Sequence, residues 1–137
     1  MADVSNILNY RRLTDLVSLS GQPTEDQLVD LQAAGVSHVV NLGPHSNDGA
    51  LADEAGSVAA LGINYIYIPV DFDNPIDANF SEFCDALDRL EGERVHVHCI
   101  YNARVTAFFY RLSKTDEELS QSEVFAMMDG IWRPGGV

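Results

Sequence analysis

One cysteine and one arginine in the second half of the chain stand at a spacing that suits chemistry on an anion. Cys99 follows the alternating segment Val95-His96-Val97-His98, and Arg104 comes five residues after Cys99. The two valines predict a buried strand, and from Val105 onward the apolar spacing becomes that of a helix. The free N–H groups that begin such a helix favour anions, including a thiolate. The segment therefore predicts a nucleophilic thiol beside an anion-binding loop.

This loop supplies most of the groups that an attack on phosphorus or sulfur needs. Cys99 is the candidate nucleophile, and the planar guanidinium of Arg104 would clamp the oxygens of the anion. His98 is expected to order the loop by hydrogen bonding. A carboxylic acid must protonate the leaving group, and the candidates are Asp71 and Asp73, with Asp73 favoured. The predicted anion-binding loop is Cys99, Ile100, Tyr101, Asn102, Ala103 and Arg104.

Alternating strand and helix patterns predict the scaffold that positions this loop. Val36 to Leu42 and Ile63 to Val70 are typical of strands, and Thr24 with Gln27 forms a capping box before a helix. The chain is predicted to be one α/β domain over residues 1–137, with an N-terminal arm at 1–15. The expected sheet is mostly parallel, four- or five-stranded, with helices on both faces. Sites in such folds lie at the carboxyl ends of the strands.

Composition narrows the classes of partner. The 137 residues carry a formal net charge of −13, which disfavours nucleic acid as a partner. No apolar run is long enough to cross a membrane. We expect a cytoplasmic protein, or a periplasmic one if a leader was removed before Ala2, and a substrate that is phosphorylated or another small anion. The oligomeric state is left open.

Three further segments carry a resemblance to a known family. They are Ser20-Gly21-Gln22-Pro23-Thr24, Val39-Val40-Asn41-Leu42 and Ile68-Pro69-Val70. Together with His98-Cys99 they resemble the bacterial tyrosine-phosphatase-like family DUF442, within the cysteine-dependent protein tyrosine and dual-specificity phosphatases. The resemblance implies a (phosphotyrosine protein phosphatase)-like fold. It also implies hydrolysis of phosphomonoesters through a thiophosphoryl intermediate on Cys99, with no metal and no cofactor.

The loop departs from the phosphatase pattern of His-Cys, two residues, Gly, two residues, Arg, then Ser or Thr. Asn102 stands at the glycine position, where positive φ is expected and Asn tolerates it. Thr106 matches the hydroxyl position and is a candidate supporting residue. Val105 stands at the arginine position, so Arg104 comes one residue early.

This spacing leaves two alternatives to a phosphatase. Cysteine, four residues and arginine also resemble the loop of rhodanese sulfurtransferases, in which Cys99 would carry a persulfide. A module that binds phosphate or a phosphoprotein without turnover is the other alternative. His96 and His98 share a strand face, but a metal site there is disfavoured because no further ligand cluster is evident.

Overall fold

The computed structural model describes residues 4–46, 48–70, 77–114, 121–128 and 130–131. Within these ranges the chain forms a five-stranded sheet. The strands are β1 (Arg11–Arg12), β2 (Val17–Ser20), β3 (His38–Asn41), β4 (Asn64–Tyr67) and β5 (Val95–His98). The helices are α1 (Glu25–Ala33), α2 (Glu54–Ala60), α3 (Asp77–Arg89), α4 (Ala103–Ser113) and α5 (Gln121–Met127), and a 3-10 helix at Val4–Asn6 precedes β1.

The sheet has the order β1-β2-β5-β3-β4, so β5 lies at its centre although it is the last strand in sequence. The β1–β2 pair is antiparallel, and the other three pairs are parallel. The parallel register places His98 opposite Ser20 on β2 and opposite Asn41 on β3. The carboxyl ends of the four parallel strands therefore meet at one edge, directly before the loop that begins with Cys99.

Two apolar cores hold helices on opposite faces of this sheet. The larger core joins Val95 and Val97 of β5 to aromatic side chains of α3 and α4. The smaller core joins Val39 of β3 to Leu28 of α1 and Val58 of α2. Because side chains alternate along a strand, His96 and His98 lie on the face of β5 opposite Val95 and Val97. All four residues of β5 are buried.

The predicted fold class is confirmed, with differences at the edges of the sheet. The capping box before α1 is present, since Thr24 Oγ1 accepts from Gln27 N–H and Gln27 Oε1 accepts from Thr24 N–H. The strand predicted from Ile63 to Val70 is shorter, since β4 runs from Asn64 to Tyr67. Beyond its end, the N–H groups of Ile68 and Val70 still donate to the carbonyl oxygens of Asn41 and Leu42. The antiparallel strand β1 was not predicted. Among the described residues, no helix has the length and apolarity needed to cross a membrane.

Candidate active site

Cys99 lies directly after β5, at the carboxyl edge of the central strand. Its side chain is fully buried against the larger core. The backbone N–H of Cys99 donates to the carbonyl oxygen of Ser20 at 3.3 Å. The Sγ atom accepts a hydrogen bond from the backbone N–H of Asn102 at 3.1 Å. A backbone N–H aimed at sulfur stabilises negative charge there, as an activated nucleophile requires.

Asn102 has the left-handed backbone that its position predicted. Its φ is 79° and its ψ is 3°, and it is the residue that precedes α4. This conformation turns the chain so that the Asn102 N–H points back at Cys99. The prediction that an asparagine replaces glycine here because it tolerates positive φ is confirmed.

The side chain of Asn102 also ties the loop to the N-terminal arm. Its Nδ2 donates to the carbonyl oxygen of Asn9 at 2.8 Å. In return, Asn9 Nδ2 donates to the carbonyl oxygen of Tyr101 at 2.9 Å. Asn9 has positive φ as well, at 51°. The arm is therefore bound to the outside of the cysteine loop, and the asparagine side chain makes a bond that glycine lacks.

The loop is further fixed by close backbone approaches at Ile100. Its carbonyl oxygen accepts from the backbone N–H of Gln22 at 3.0 Å. A Cβ atom on Gly21 would lie 2.7 Å from that same oxygen, and one on Gly43 would lie 3.2 Å from Ile100 N. The segments that follow β2 and β3 thus converge on the cysteine loop. Tyr101 is half exposed at the loop surface.

The helix α4 explains why the arginine comes one residue early. Val105, at the position where the phosphatase pattern has arginine, is fully buried in the larger core. Arg104 is the second residue of α4 and is only partly buried. One residue on a helix is a rotation of about 100°, so position 105 faces the core and a charged side chain there would be costly. Position 104, unlike position 105, is partly exposed and accommodates arginine.

Thr106 stabilises the start of α4. Its Oγ1 donates to the carbonyl oxygen of Asn102 at 2.9 Å and lies 3.2 Å from that of Ala103. Its backbone N–H also donates to the Asn102 carbonyl at 3.0 Å. These contacts hold the start of α4 in shape, and the supporting role of Thr106 in the site stays a prediction.

His98 connects the loop to a buried carboxylate that sequence reasoning missed. Its Nδ1 lies 3.0 Å from the carbonyl oxygen of Cys99. Its Nε2 lies 2.5 Å from Oε2 of Glu54, and the two side chains are 0% and 1% exposed. The other oxygen of Glu54 accepts from Gln22 Nε2 at 2.8 Å. Gln22, Glu54, His98 and the Cys99 carbonyl thus form one buried chain of hydrogen bonds, which we call the Glu54–His98 chain.

The charge on Glu54 is maintained by these partners. Burial raises the pKa of the Glu54 carboxyl, and the hydrogen bond and charge of His98 oppose it. The hydrogen bond from Gln22 and the charge of His45 act in the same direction, so that the pKa lies below its usual value. These contacts favour the carboxylate form of Glu54 although it is buried.

His96 has a different environment two residues away. Its Nδ1 and Nε2 each lie 2.7 Å from a serine hydroxyl, that of Ser18 and that of Ser20. Ser20 Oγ donates to the carbonyl of Gly21, so His96 Nε2–H must donate to Ser20, and Nδ1 accepts from Ser18. Burial, with a smaller contribution from the charge of His98, lowers the pKa of His96 to about 3. His96 is a neutral ring satisfied by hydrogen bonds, as the sequence favoured.

His45 lies in an aromatic stack at the same edge of the sheet. Its ring is 3.8 Å from the ring of Tyr67 and nearly parallel to it. Its Nε2 lies 2.7 Å from the Tyr65 hydroxyl, which also accepts from Asn41 Nδ2 at 2.9 Å. Asn41 Oδ1 in turn accepts from Gly43 N–H. Burial raises the pKa of Tyr65 well above its ordinary value, so this hydroxyl stays protonated and fixes the turn after β3.

Two predicted site residues, Asp71 and Asp73, lie outside the described residues, so their role as general acid stays a prediction. Across the described ranges, no group of three or more His, Cys, Asp and Glu side chains is arranged to hold a metal ion.

The sequence around Glu54 and Asn9 has no pattern that predicts their places in the site. Glu54 follows Asp53, whose side chain caps α2 by accepting from Gly56 N–H, and an acidic residue in a first helical turn usually reads as a surface charge. Its burial follows only from tertiary packing, which brings the side chain to His98 on β5. Asn9 lies in an arm of mixed polarity, and its partners are 92 and 93 residues away.

Comparison with known proteins defines the class of this fold and site. A crystal structure of a DUF442 protein with a proposed phosphatase activity, from Shewanella putrefaciens CN-32, superposes with a TM-score of 0.84. It is 32% identical and covers 96% of this chain and 86% of its own. The protein described here therefore belongs to the DUF442 family of tyrosine-phosphatase-like proteins.

More distant comparisons agree with this fold. TpbA of P. aeruginosa, in a structure with phosphotyrosine bound, has a TM-score of 0.72 at 17% identity, over 94% of this chain and 75% of its own. Beta-lactamase hydrolase-like proteins of two Xylella fastidiosa strains, Temecula1 and 9a5c, are 26% identical over 119 residues, which is 84% of this chain. The chain spans 27% of the length of these two curated relatives. No family model matches the chain.

Proposed function

We propose that this protein is a cysteine-dependent phosphatase that hydrolyses phosphomonoesters through an intermediate on Cys99. The observation that carries the proposal is the hydrogen bond from Asn102 N–H to Cys99 Sγ at the start of α4. It combines a thiol, a left-handed loop residue and a helix N-terminus within a fold shared with phosphatases. We favour singly phosphorylated aromatic esters as substrates. TpbA was crystallised with phosphotyrosine. Residues 99–104 carry one basic side chain, that of Arg104, which suits a single phosphoryl group.

In the proposed reaction, the thiolate of Cys99 attacks phosphorus and the bond from phosphorus to the ester oxygen breaks. The leaving oxygen takes a proton from Asp73 or Asp71. Water then gives a proton to that aspartate and attacks the thiophosphoryl group, the bond between sulfur and phosphorus breaks, and phosphate leaves as the thiolate and the carboxylic acid are restored. Arg104 and the amides of the loop balance the charge on the phosphoryl oxygens. No metal or cofactor takes part in this scheme.

Hydrolysis of p-nitrophenyl phosphate by the full chain tests the proposal. Cys99→Ser is expected to abolish turnover, and Arg104→Ala to lower kcat by about 10²–10³-fold. Cys84→Ser is the matched control, because Cys84 is the second cysteine and lies on α3. Its turnover should equal that of the unchanged protein. Asp73→Asn and Asp71→Asn, measured in parallel, identify the general acid.

The same samples separate the alternatives. Thiocyanate formed from thiosulfate and cyanide, without phosphate release, would replace the proposal with a sulfurtransferase that uses a Cys99 persulfide. A rise in melting temperature with inorganic phosphate and no turnover of either substrate would replace it with a binding module. Turnover that survives Cys99→Ser would contradict all three functions.

A further inference from the structure

The two ring nitrogens of His98 both face hydrogen-bond acceptors. Nε2 lies 2.5 Å from a carboxylate oxygen of Glu54, and Nδ1 lies 3.0 Å from the carbonyl oxygen of Cys99. Neither a carboxylate nor a carbonyl oxygen donates a hydrogen bond, and a neutral imidazole has a single N–H. With Glu54 as a carboxylate, both contacts are satisfied together only when each nitrogen of His98 carries a proton. The hydrogen-bond pattern is therefore that of an imidazolium.

From this pattern we infer that Glu54 is a positioning residue, which keeps His98 as a buried imidazolium and thereby stabilises the thiolate of Cys99. This inference rests on the proposed function, because it assigns Cys99 as the nucleophile. Glu54 acts through His98 and touches neither the sulfur nor the loop.

The Glu54–His98 chain has its positive end next to the loop. His98 directly precedes Cys99 and donates to its carbonyl oxygen. The carboxylate of Glu54 lies on the far side of the imidazole ring and accepts a hydrogen bond from Gln22. A buried ion pair of this kind costs desolvation, and removal of one partner leaves the other charge uncompensated. The pair thus supplies positive potential at the base of the anion loop without adding net charge, in a chain whose formal charge is −13.

Other titratable groups around the pair do not replace this role. His96 stacks beside His98 with ring centres 6.4 Å apart, but its nitrogens are taken up by Ser18 and Ser20. His45 acts on Glu54 through charge from the turn after β3. In the described part of the chain, Glu54 is the acidic side chain that forms an ion pair with His98.

Nitrogen chemical shifts of the histidine rings in the full chain test the protonation state directly, without any mutation near the pair. We expect both nitrogens of His98 to be protonated at neutral pH, whereas His96 shows one protonated and one bare nitrogen. A single protonated nitrogen on His98 would overturn the inference.

A second measurement follows the thiolate itself. The absorbance difference between the protein and Cys99→Ser, recorded against pH, gives the midpoint at which the Cys99 thiolate forms. Burial raises the pKa of the Cys84 thiol, and Cys84 is present in both samples, so it cancels. In Glu54→Gln the amide does not hold the charge on the ring, so His98 becomes neutral, and the midpoint for Cys99 should move up by about one pH unit or more because positive charge beside it is lost.

Glu25→Gln is the matched control. Glu25 is an exposed glutamate on α1 that binds the Ser57 hydroxyl of α2 at 2.6 Å, so its removal also disturbs the contact between α1 and α2. It should leave the midpoint and the His98 shifts unchanged. A folded Glu54→Gln with an unchanged midpoint, or an equal change in Glu25→Gln, would refute the positioning role.

These readouts do not depend on turnover. A protonated His98 together with the midpoint shift, in a protein that hydrolyses no phosphate ester, would retain the positioning role and refute the proposed function. Turnover with a neutral His98 would do the reverse.

Discussion

Asn9 and Asn102 each donate a side-chain hydrogen bond across the junction between the N-terminal arm and the cysteine loop. Asn102 Nδ2 binds the Asn9 carbonyl at 2.8 Å, and Asn9 Nδ2 binds the Tyr101 carbonyl at 2.9 Å. Both residues have positive φ. The arm is therefore a structural part of the candidate active site, and the asparagine at the glycine position of the phosphatase pattern serves two purposes.

Substitutions at Asn102 separate these two purposes. Asn102→Gly keeps the left-handed backbone and removes the bond to Asn9, so we expect the free energy of unfolding to fall by about 1 kcal/mol. Asn102→Ala also forces a side chain with low tolerance for positive φ into that backbone, which adds about 1–2 kcal/mol. Urea denaturation of both variants measures the difference. Equal losses for the two variants would show that the backbone conformation carries no cost.

Gly21 is expected to tolerate no side chain. A Cβ atom there would lie 2.7 Å from the Ile100 carbonyl oxygen and 2.9 Å from Leu8 Cδ2. Gly21→Ala should therefore lower the free energy of unfolding by about 1–3 kcal/mol. Adding Leu8→Ala relieves the contact with a half-exposed side chain and leaves the contact with the loop backbone. The double variant should regain only part of the loss, and complete recovery would show that the loop itself adapts.

The stability of the protein should depend on pH through His96. Its pKa is lowered to about 3 in the folded protein, while an exposed histidine titrates near about 6.5. The unfolded chain binds the extra proton first, so this stabilisation is complete above about pH 6.5 and is lost as the pH falls toward about 3. Between about pH 7 and about pH 5 the expected loss is about 2 kcal/mol.

Denaturation at several pH values measures this loss. His96→Gln, which has an amide in place of the ring, should remove the His96 contribution from the pH dependence in that interval. His38→Gln is the control, because His38 is only partly buried and its Nδ1 pairs with Ser37 Oγ. It should keep the pH dependence of the unchanged protein. The same slope in His96→Gln would contradict the assignment of a neutral buried ring.

Local patterns were enough to predict the parts of the fold that depend on neighbouring residues. The capping box of Thr24 and Gln27, the alternating strand that precedes Cys99 and the positive φ of Asn102 each follow from the chemistry of a few consecutive positions. The junction between β5 and α4 could therefore be placed from sequence, and with it the candidate nucleophile.

Contacts between distant segments were beyond such patterns. Glu54 pairs with His98 across 44 positions, and nothing in the residues around Glu54 distinguishes it from a surface glutamate at a helix start. The apolar spacing from Val105 onward already indicated which face of α4 the core occupies, and the burial of Val105 agrees with it.

The central place of β5 has a consequence for the order in which the protein assembles. Its partners β2 and β3 are made long before it, and the register joins residues such as Ser18 and His96, 78 positions apart. Contacts between residues this far apart in the sequence form late in folding, because closing a long loop costs conformational entropy first. A nascent chain that has not yet released β5 has a gap where the centre of its sheet will be. Completion of the sheet and creation of the cysteine loop are then a single folding event.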